Sequence, residues 1–278
     1  MTTNILKSFL NIHKVYKNQI VDTQSGNNRA NNMGEGLEYF VKNLIADSFG
    51  VNSKQHKDKW QATFAFEGSK SHPPDAIIRN GDALEIKKLE SLARSGEIQL
   101  NSSSLKKVLK SNSTLITKNC KNSDGGNWQQ KDLFYIFGYV VNKKLKGLFF
   151  IDGSLLAADE SIYQKVQDSI TASLNDSNDY YLSETKELAR INGVDPLKIS
   201  NLRVRGMWLL KNPLGIFDYL DINIDNEFFS YLLCPKEKYN NMKLEAVIDD
   251  QYTTEVVGVK NPDNPAEDIP SMLLSFIV

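Results

Sequence analysis

The sequence predicts an α/β protein built on a mixed β-sheet flanked by helices, and three stretches carry that expectation. Residues 132–141 form a nearly continuous apolar and aromatic run, the pattern of a central strand buried on both faces. Leu37, Phe40, Val41, Leu44 and Ile45 recur at the spacing of one helix face. Residues 74–88 read as two short strands turning at Asn80-Gly81, a strong hairpin signal.

The remaining elements follow in chain order. Ile5, Phe9, Ile12 and Tyr16 predict a helix over residues 4–16, and residues 21–32 are polar and irregular. The helix over 33–46 carries Glu38 on the border of its apolar stripe. A strand is expected over 62–66, then the hairpin. Residues 100–110 are basic, serine-rich and helix-prone, with a helix start at Ser102-Ser103. After the central strand come a turn at 142–144, a strand over 147–152, a helix over 154–174 and a loop at 175–179. A further helix is expected over 184–191. Residues 202–210 alternate as a strand with Arg203 and Arg205 on one face. The apolar stretch 228–233 fits either element. The last stretch, with Pro262, Pro265 and Pro270, is expected to run over the surface. No repeat or linker appears. The expected organisation is one domain over 1–278, with a core at about 27–155 and a C-terminal elaboration at about 156–278.

Bulk composition narrows the class. Hydrophobic residues are 41% and charged residues 24%, ordinary for a globular protein of 278 residues with a sizeable core. No apolar run reaches the roughly 18–20 residues of a membrane helix, and no signal-peptide apolar region follows Met1. Cys120 and Cys234 make neither a disulfide framework nor a zinc site, so a reducing cytoplasm is the expected location. The net charge of −1 conceals an asymmetry. From Asp218 onward there are 12 acidic and 4 basic residues, leaving 29 basic and 22 acidic before it. A basic body of this kind is compatible with a DNA-binding face.

The hairpin carries the chemistry. Side chains alternate along a strand, so Leu84 and Ile86 point into a core while Glu85 and Lys87 point together to the other face. Asp75 closes on them across the hairpin. Two carboxylates in one place repel, and a divalent cation resolves the repulsion. An all-oxygen set suits Mg²⁺, which takes carboxylates, waters and phosphate oxygens. Asp75 and Glu85 are the expected side-chain ligands, the Ile86 carbonyl a further one, and Lys87 the group that orients or activates a water for phosphodiester hydrolysis.

These residues, Pro74-Asp75 and Glu85-Ile86-Lys87, match the PD-(D/E)XK pattern, and the wider context resembles the NgoPII family of type II restriction endonucleases. The matching blocks are 27–31 (Asn-Asn-Arg-Ala-Asn), 34–38 (Gly-Glu-Gly-Leu-Glu), 73–76, 81–88, 100–103, 115–118 and, more loosely, 203–208. The resemblance implies a restriction-endonuclease-like PD-(D/E)XK core. It implies Mg²⁺-dependent, sequence-specific cleavage of double-stranded DNA by a homodimer at a short palindrome, with GGCC as the first target. It also implies a cognate DNA methyltransferase acting beside the enzyme without binding it. Glu38 would then sit near the metal and hold a water or a second ion.

Candidate DNA contacts follow from residue type and the matching blocks. Asn27, Asn28, Arg29 and Asn31 precede the Glu38 helix and suit base edges or phosphate. Ser102, Ser103 and Lys106 read as a phosphate-binding helix start. Lys118 lies in a matching block, and Arg203 and Arg205 share a strand face. The plain readings are a solvated loop, an ordinary helix cap and protective edge charges. Trp60, Trp128 and Trp208 read as core or interface residues. Two alternatives stand beside the restriction enzyme: a repair or recombination nuclease of the same chemistry, and a non-catalytic DNA-binding protein. A Gly-x-x-x-x-Gly-Lys-Ser/Thr nucleotide loop is absent from the sequence, and the intact Asp/Glu/Lys set disfavours the last.

Overall fold

The computed structural model describes residues 3–17, 29–69, 71–100, 103–175, 181–182, 188–244 and 246–278, excluding the side chains of 29–34, 174–175 and 181–182. Two short helices open it, α1 (Ile5–Phe9) and α2 (Ile12–Val15), instead of one helix over 4–16. The chain tightens between them, where the Asn11 N–H donates to the Ser8 carbonyl at 3.1 Å. Next come α3 (Arg29–Ile45) and α4 (Ser53–Thr63). The latter starts in a reciprocal Asn52–Gln55 capping box and takes the first two residues of the expected strand, leaving β1 (Phe64–Phe66).

The hairpin is present as β2 (Ala76–Ile78) and β3 (Ala83–Leu89), antiparallel with Ala76 opposite Leu84. Its connection spans four residues, and within it Asn80 takes the left-handed conformation (φ 55°). β4 (Glu97–Gln99) and β5 (Val108–Lys110) follow. The helix expected within 100–110 is therefore corrected. The Leu133 N–H donates to the Lys107 carbonyl at 3.2 Å, and Lys106 exchanges hydrogen bonds with the Tyr135 hydroxyl, which holds this segment against the sheet, with strand at 108–110 alone.

After α5 (Lys118–Lys121), the long β6 (Gln130–Val141) and β7 (Lys144–Asp152) form the centre of the molecule. α6 (Glu160–Asn175) starts six residues later than expected. β8 (Tyr181–Leu182), β9 (Ala189–Asn192) and β10 (Leu202–Val204) make a separate three-stranded sheet. Residues 189–192 are thus strand, not helix, and the strand expected over 202–210 stops at Val204. β11 (Leu209–Lys211) pairs with β4 instead. α7 (Pro213–Ile216), β12 (Phe229–Pro235) and α8 (Lys236–Lys243) lead to β13 (Thr253–Lys260) and β14 (Asp268–Ile277). The surface course expected for the last stretch is corrected: β14 lies between β12 and β13 and carries buried Leu273 and Leu274.

The main sheet runs β1-β2-β3-β6-β7-β12-β14-β13, with β5 also paired to β6. β3 is parallel to β6 and β7 to β12, and the other pairs are antiparallel, so the sheet is mixed. Leu84, Ile86, Phe134, Ile136 and Phe150 pack beneath α1 and α3 on one face. Tyr135, Phe137, Phe149, Ile151 and Tyr231 face a second core with Leu109, Leu210 and Phe217. Burial on both faces is the physical reason that β6 shows no polar alternation.

Candidate active site

β2 is shorter than β3, and that difference makes the site. The last backbone bond on this side joins the Asp75 N–H to the Leu84 carbonyl at 2.9 Å. Beyond it β3 has no strand partner on the β2 side. The Asp75 side chain takes the place of one: Oδ2 accepts the Ile86 N–H at 2.6 Å. In a strand the N–H and C=O of one residue point to the same side, so the Ile86 carbonyl faces the same open edge. Lys87 Nζ lies 2.7 Å from Glu85 Oε2 and 4.0 Å from Asp75 Oδ2. The three residues expected to converge therefore do so.

Glu38 comes to this edge from α3, which packs on the opposite face of the sheet through Leu37, Phe40 and Val41. A cleft of about 1250 Å³ is lined by Glu38, Lys42, Asp75, Lys87 and Glu97. A second cavity of about 390 Å³ is lined by Asp75, Glu85, Lys87, Ser103, Lys106 and Tyr135. Asp75 and Lys87 border both and form the ridge between them.

Burial and the charge of Asp75 push the Glu85 carboxyl up to about 7, against the opposing pull of Lys87. Burial raises Glu38 as well, with Lys42 opposing and Asp75 reinforcing the shift. Burial disfavours the charged form of Lys87, yet the carboxylates of Glu85 and Asp75 outweigh it and hold the ammonium above its usual range. Among the described residues no three His, Cys, Asp or Glu side chains form a ready-made metal cage. The set at the open edge is two carboxylates, a backbone carbonyl and a third acid across the cleft. It fits a hard cation that keeps waters and takes substrate oxygens, and the raised Glu85 is the strain such a cation would relieve.

One member of the site was not anticipated. Lys42, one turn along α3 from Glu38, ion-pairs with it and donates to the Glu67 carbonyl at 2.6 Å. The i,i+4 spacing to Glu38 was visible in the sequence, but nothing local marks Lys42 as buried beside the apolar stripe. Gly68 follows with φ +98°, and a Cβ there would lie 2.3 Å from the Asp75 carbonyl oxygen, so the loop passes too close for any side chain.

The candidate DNA contacts divide. Ser103 and Lys106 line the smaller cavity with the cluster. Lys106 also lies 3.9 Å from Glu160. Lys118 is exposed at the start of α5 and lines neither cavity. Arg203 pairs with Arg190 in the separate sheet, and Arg205 lies past the end of β10. The two arginines therefore do not share the long strand face expected of them. Asn27, Asn28 and Ser102 lie outside the described residues, and Arg29 and Asn31 fall in α3 where side chains are not described. Trp60 donates to Asn43 and Ser48 at 3.0 and 3.1 Å, which fits a structural role.

Fold and cluster define a class first: an α/β protein whose acids and lysine meet at an open strand edge, the equipment of a hydrolase acting on phosphodiesters. Comparison with known proteins narrows it. The model of the NgoPII restriction endonuclease family matches residues 3–261. The chain is also 37% identical over 282 residues to the type II restriction enzyme NgoPII of Neisseria gonorrhoeae, covering 98% of this chain and 99% of that one. The chain belongs to the NgoPII restriction endonuclease family and is a type II restriction endonuclease, an enzyme of double-stranded DNA. No solved structure matches it. Among the described residues no helix is long and apolar enough to cross a membrane.

Proposed function

We propose that this protein hydrolyses both strands of duplex DNA at a short palindrome, as a homodimer with Mg²⁺, and that its PD-(D/E)XK site is Asp75, Glu85 and Lys87. The observation that carries this reading is the meeting of those three side chains just before β2 begins, at the open edge of β3. Asp75, Glu85 and the Ile86 carbonyl would hold the ion, which supplies charge neutralisation at the scissile phosphate and a more acidic bound water. Lys87 holds the attacking water by its ammonium and offsets charge on the phosphorus. Glu38 accepts a hydrogen bond from water on the far side of the cleft. Ser103 and Lys106 bind backbone phosphate beside it. In the prokaryotic cytoplasm a cognate methyltransferase protects host sites.

GGCC is the first sequence to test, because it is the site associated with NgoPII-like enzymes. Incubating unmethylated plasmid with protein and Mg²⁺, then sequencing the ends, is expected to give discrete fragments sharing one palindrome. Sequence-independent degradation would instead support a repair-type nuclease.

A pH dependence follows from Glu85. Its carboxyl titrates near 7, so below that value a proton competes with the cation. The half-activating Mg²⁺ concentration is expected to be steady above pH 7 and to rise by about tenfold per pH unit beneath it. A metal requirement unchanged between pH 8 and pH 6 would remove Glu85 from the ligand set.

A further inference from the structure

We infer that Lys42 is a positioning residue of the cleavage reaction: it holds the Glu38 carboxylate at the cleft wall and ties α3 to the loop that closes over Asp75. The inference rests on the role proposed above for Glu38.

Four observations support it. Lys42 is 4% exposed, although it borders a cleft of about 1250 Å³ open to solvent. Its Nζ is committed to two acceptors, the Glu38 carboxylate and the Glu67 carbonyl. Glu67 precedes Gly68, whose backbone packs on the Asp75 carbonyl. One side chain thus connects the far acid of the cleft to the segment lying on the near acid. Finally, Lys42 offsets charge in a cleft whose lining is mostly acidic: six Asp or Glu residues, Glu38 and Asp75 among them, stand against Lys42, Lys87 and Lys88.

An ordinary i,i+4 pair on a helix is exposed and contributes little. Burying a lysine is costly unless its charge is matched, and here the match is an acid of the cleft itself. Lys42 is not placed to touch substrate, since its ammonium is covered by its own two acceptors. It acts through Glu38.

The test is a double-mutant cycle in single-turnover cleavage of a duplex carrying the mapped site, at saturating Mg²⁺ and enzyme. Lys42→Met is expected to slow cleavage by about 10–100-fold, with duplex affinity in Ca²⁺ unchanged. Lys42→Arg is expected to recover part of the rate. In a Glu38→Gln background the same Lys42→Met change is expected to cost little more, because the group it positions is already gone. Thermal melts identify variants that fail to fold, and Lys42→Gln, which keeps a donor to Glu67 without the charge, replaces the methionine variant if needed. Wild-type cleavage by Lys42→Met, or full additivity with a slow Glu38→Gln, overturns the inference alone. Wild-type cleavage by Glu38→Gln removes the role given to Glu38, and the inference with it.

Discussion

Lys87→Ala is expected to lower cleavage of duplex DNA by at least about 10²–10³-fold, the usual cost of deleting one preorganised charge at a reacting centre. The structure gives the reason. Lys87 Nζ is the only ammonium among the described residues paired to both Glu85 and Asp75, at 2.7 and 4.0 Å. Removing it deletes the group proposed to hold the water and leaves two facing carboxylates without their counter-ion. Glu85, no longer pulled down by Lys87, then rises further, so low metal compounds the loss. Asp75→Ala is expected to match the effect on cleavage by a different route. It removes a proposed metal ligand and frees the Ile86 N–H. It also removes a negative charge facing phosphate, so metal-free DNA binding should hold or tighten. Plasmid cleavage and gel-shift titration of both variants check this. A Lys87→Ala protein that cuts at wild-type rate would show that the hairpin is not the site.

The second large effect is on stability. Lys238 of α8 lies between Asp82, Asp132 and Asp152, at 2.9, 2.7 and 3.1 Å, and 4.6 Å from the ring centre of Phe134. Asp82 is the last residue of the hairpin turn, three before Glu85. A second buried lysine, Lys131, grips the same turn through the Gly81 carbonyl at 3.2 Å and through Asp124, whose carboxylate also accepts the Asn80 N–H. Lys238→Met leaves three acids unmatched, two of them largely buried. The expected cost is about 3–5 kcal/mol, or on the order of 10 °C in Tm.

The sign of its pH dependence separates this from a packing loss. Asp82 is raised, burial being the larger cause and Lys238 the opposing one. Without Lys238 it rises further. A carboxyl raised in the fold costs stability once pH passes its unfolded value of about 4. The deficit of Lys238→Met should therefore be greatest near pH 8 and shrink towards pH 5. Denaturant melts at the two values measure it, and an equal deficit at both would reassign the loss to packing.

The parts of the fold legible in the sequence are those with one dominant period. The α3 stripe, the apolar run of β6, the turn at Asn142-Lys143 and the hairpin all have a pattern that local chemistry fixes. What was hidden depends on distant partners. Residues 103–110 have helix-forming lysines and leucines, but Tyr135 and Leu133 hold them along the sheet, and 108–110 become strand. β14 begins among prolines and looks peripheral until β12 and β13 flank it. At the site, Asp75, Glu85 and Lys87 were readable because one hairpin holds all three. Lys42 was not, because nothing near it in sequence says that a lysine on a helix border will be sealed inside.

The grip of Lys238 on Asp82 also sets a clock. These two residues are 156 apart in the chain, so at about 5–20 residues per second a ribosome needs roughly 8–30 s to travel from one to the other. For nearly all of that interval Asp75, Glu85 and Lys87 already exist as polypeptide, while the lysine that secures their turn does not. β12, which must pair with β7, also has yet to emerge, and pairings so far apart in sequence form slowly. The hairpin is therefore expected to gain its clamp only after Lys238 and β12 have been made. An interrupted chain that ends before Lys238 carries the acids and the lysine of the hairpin without the clamp that holds their turn.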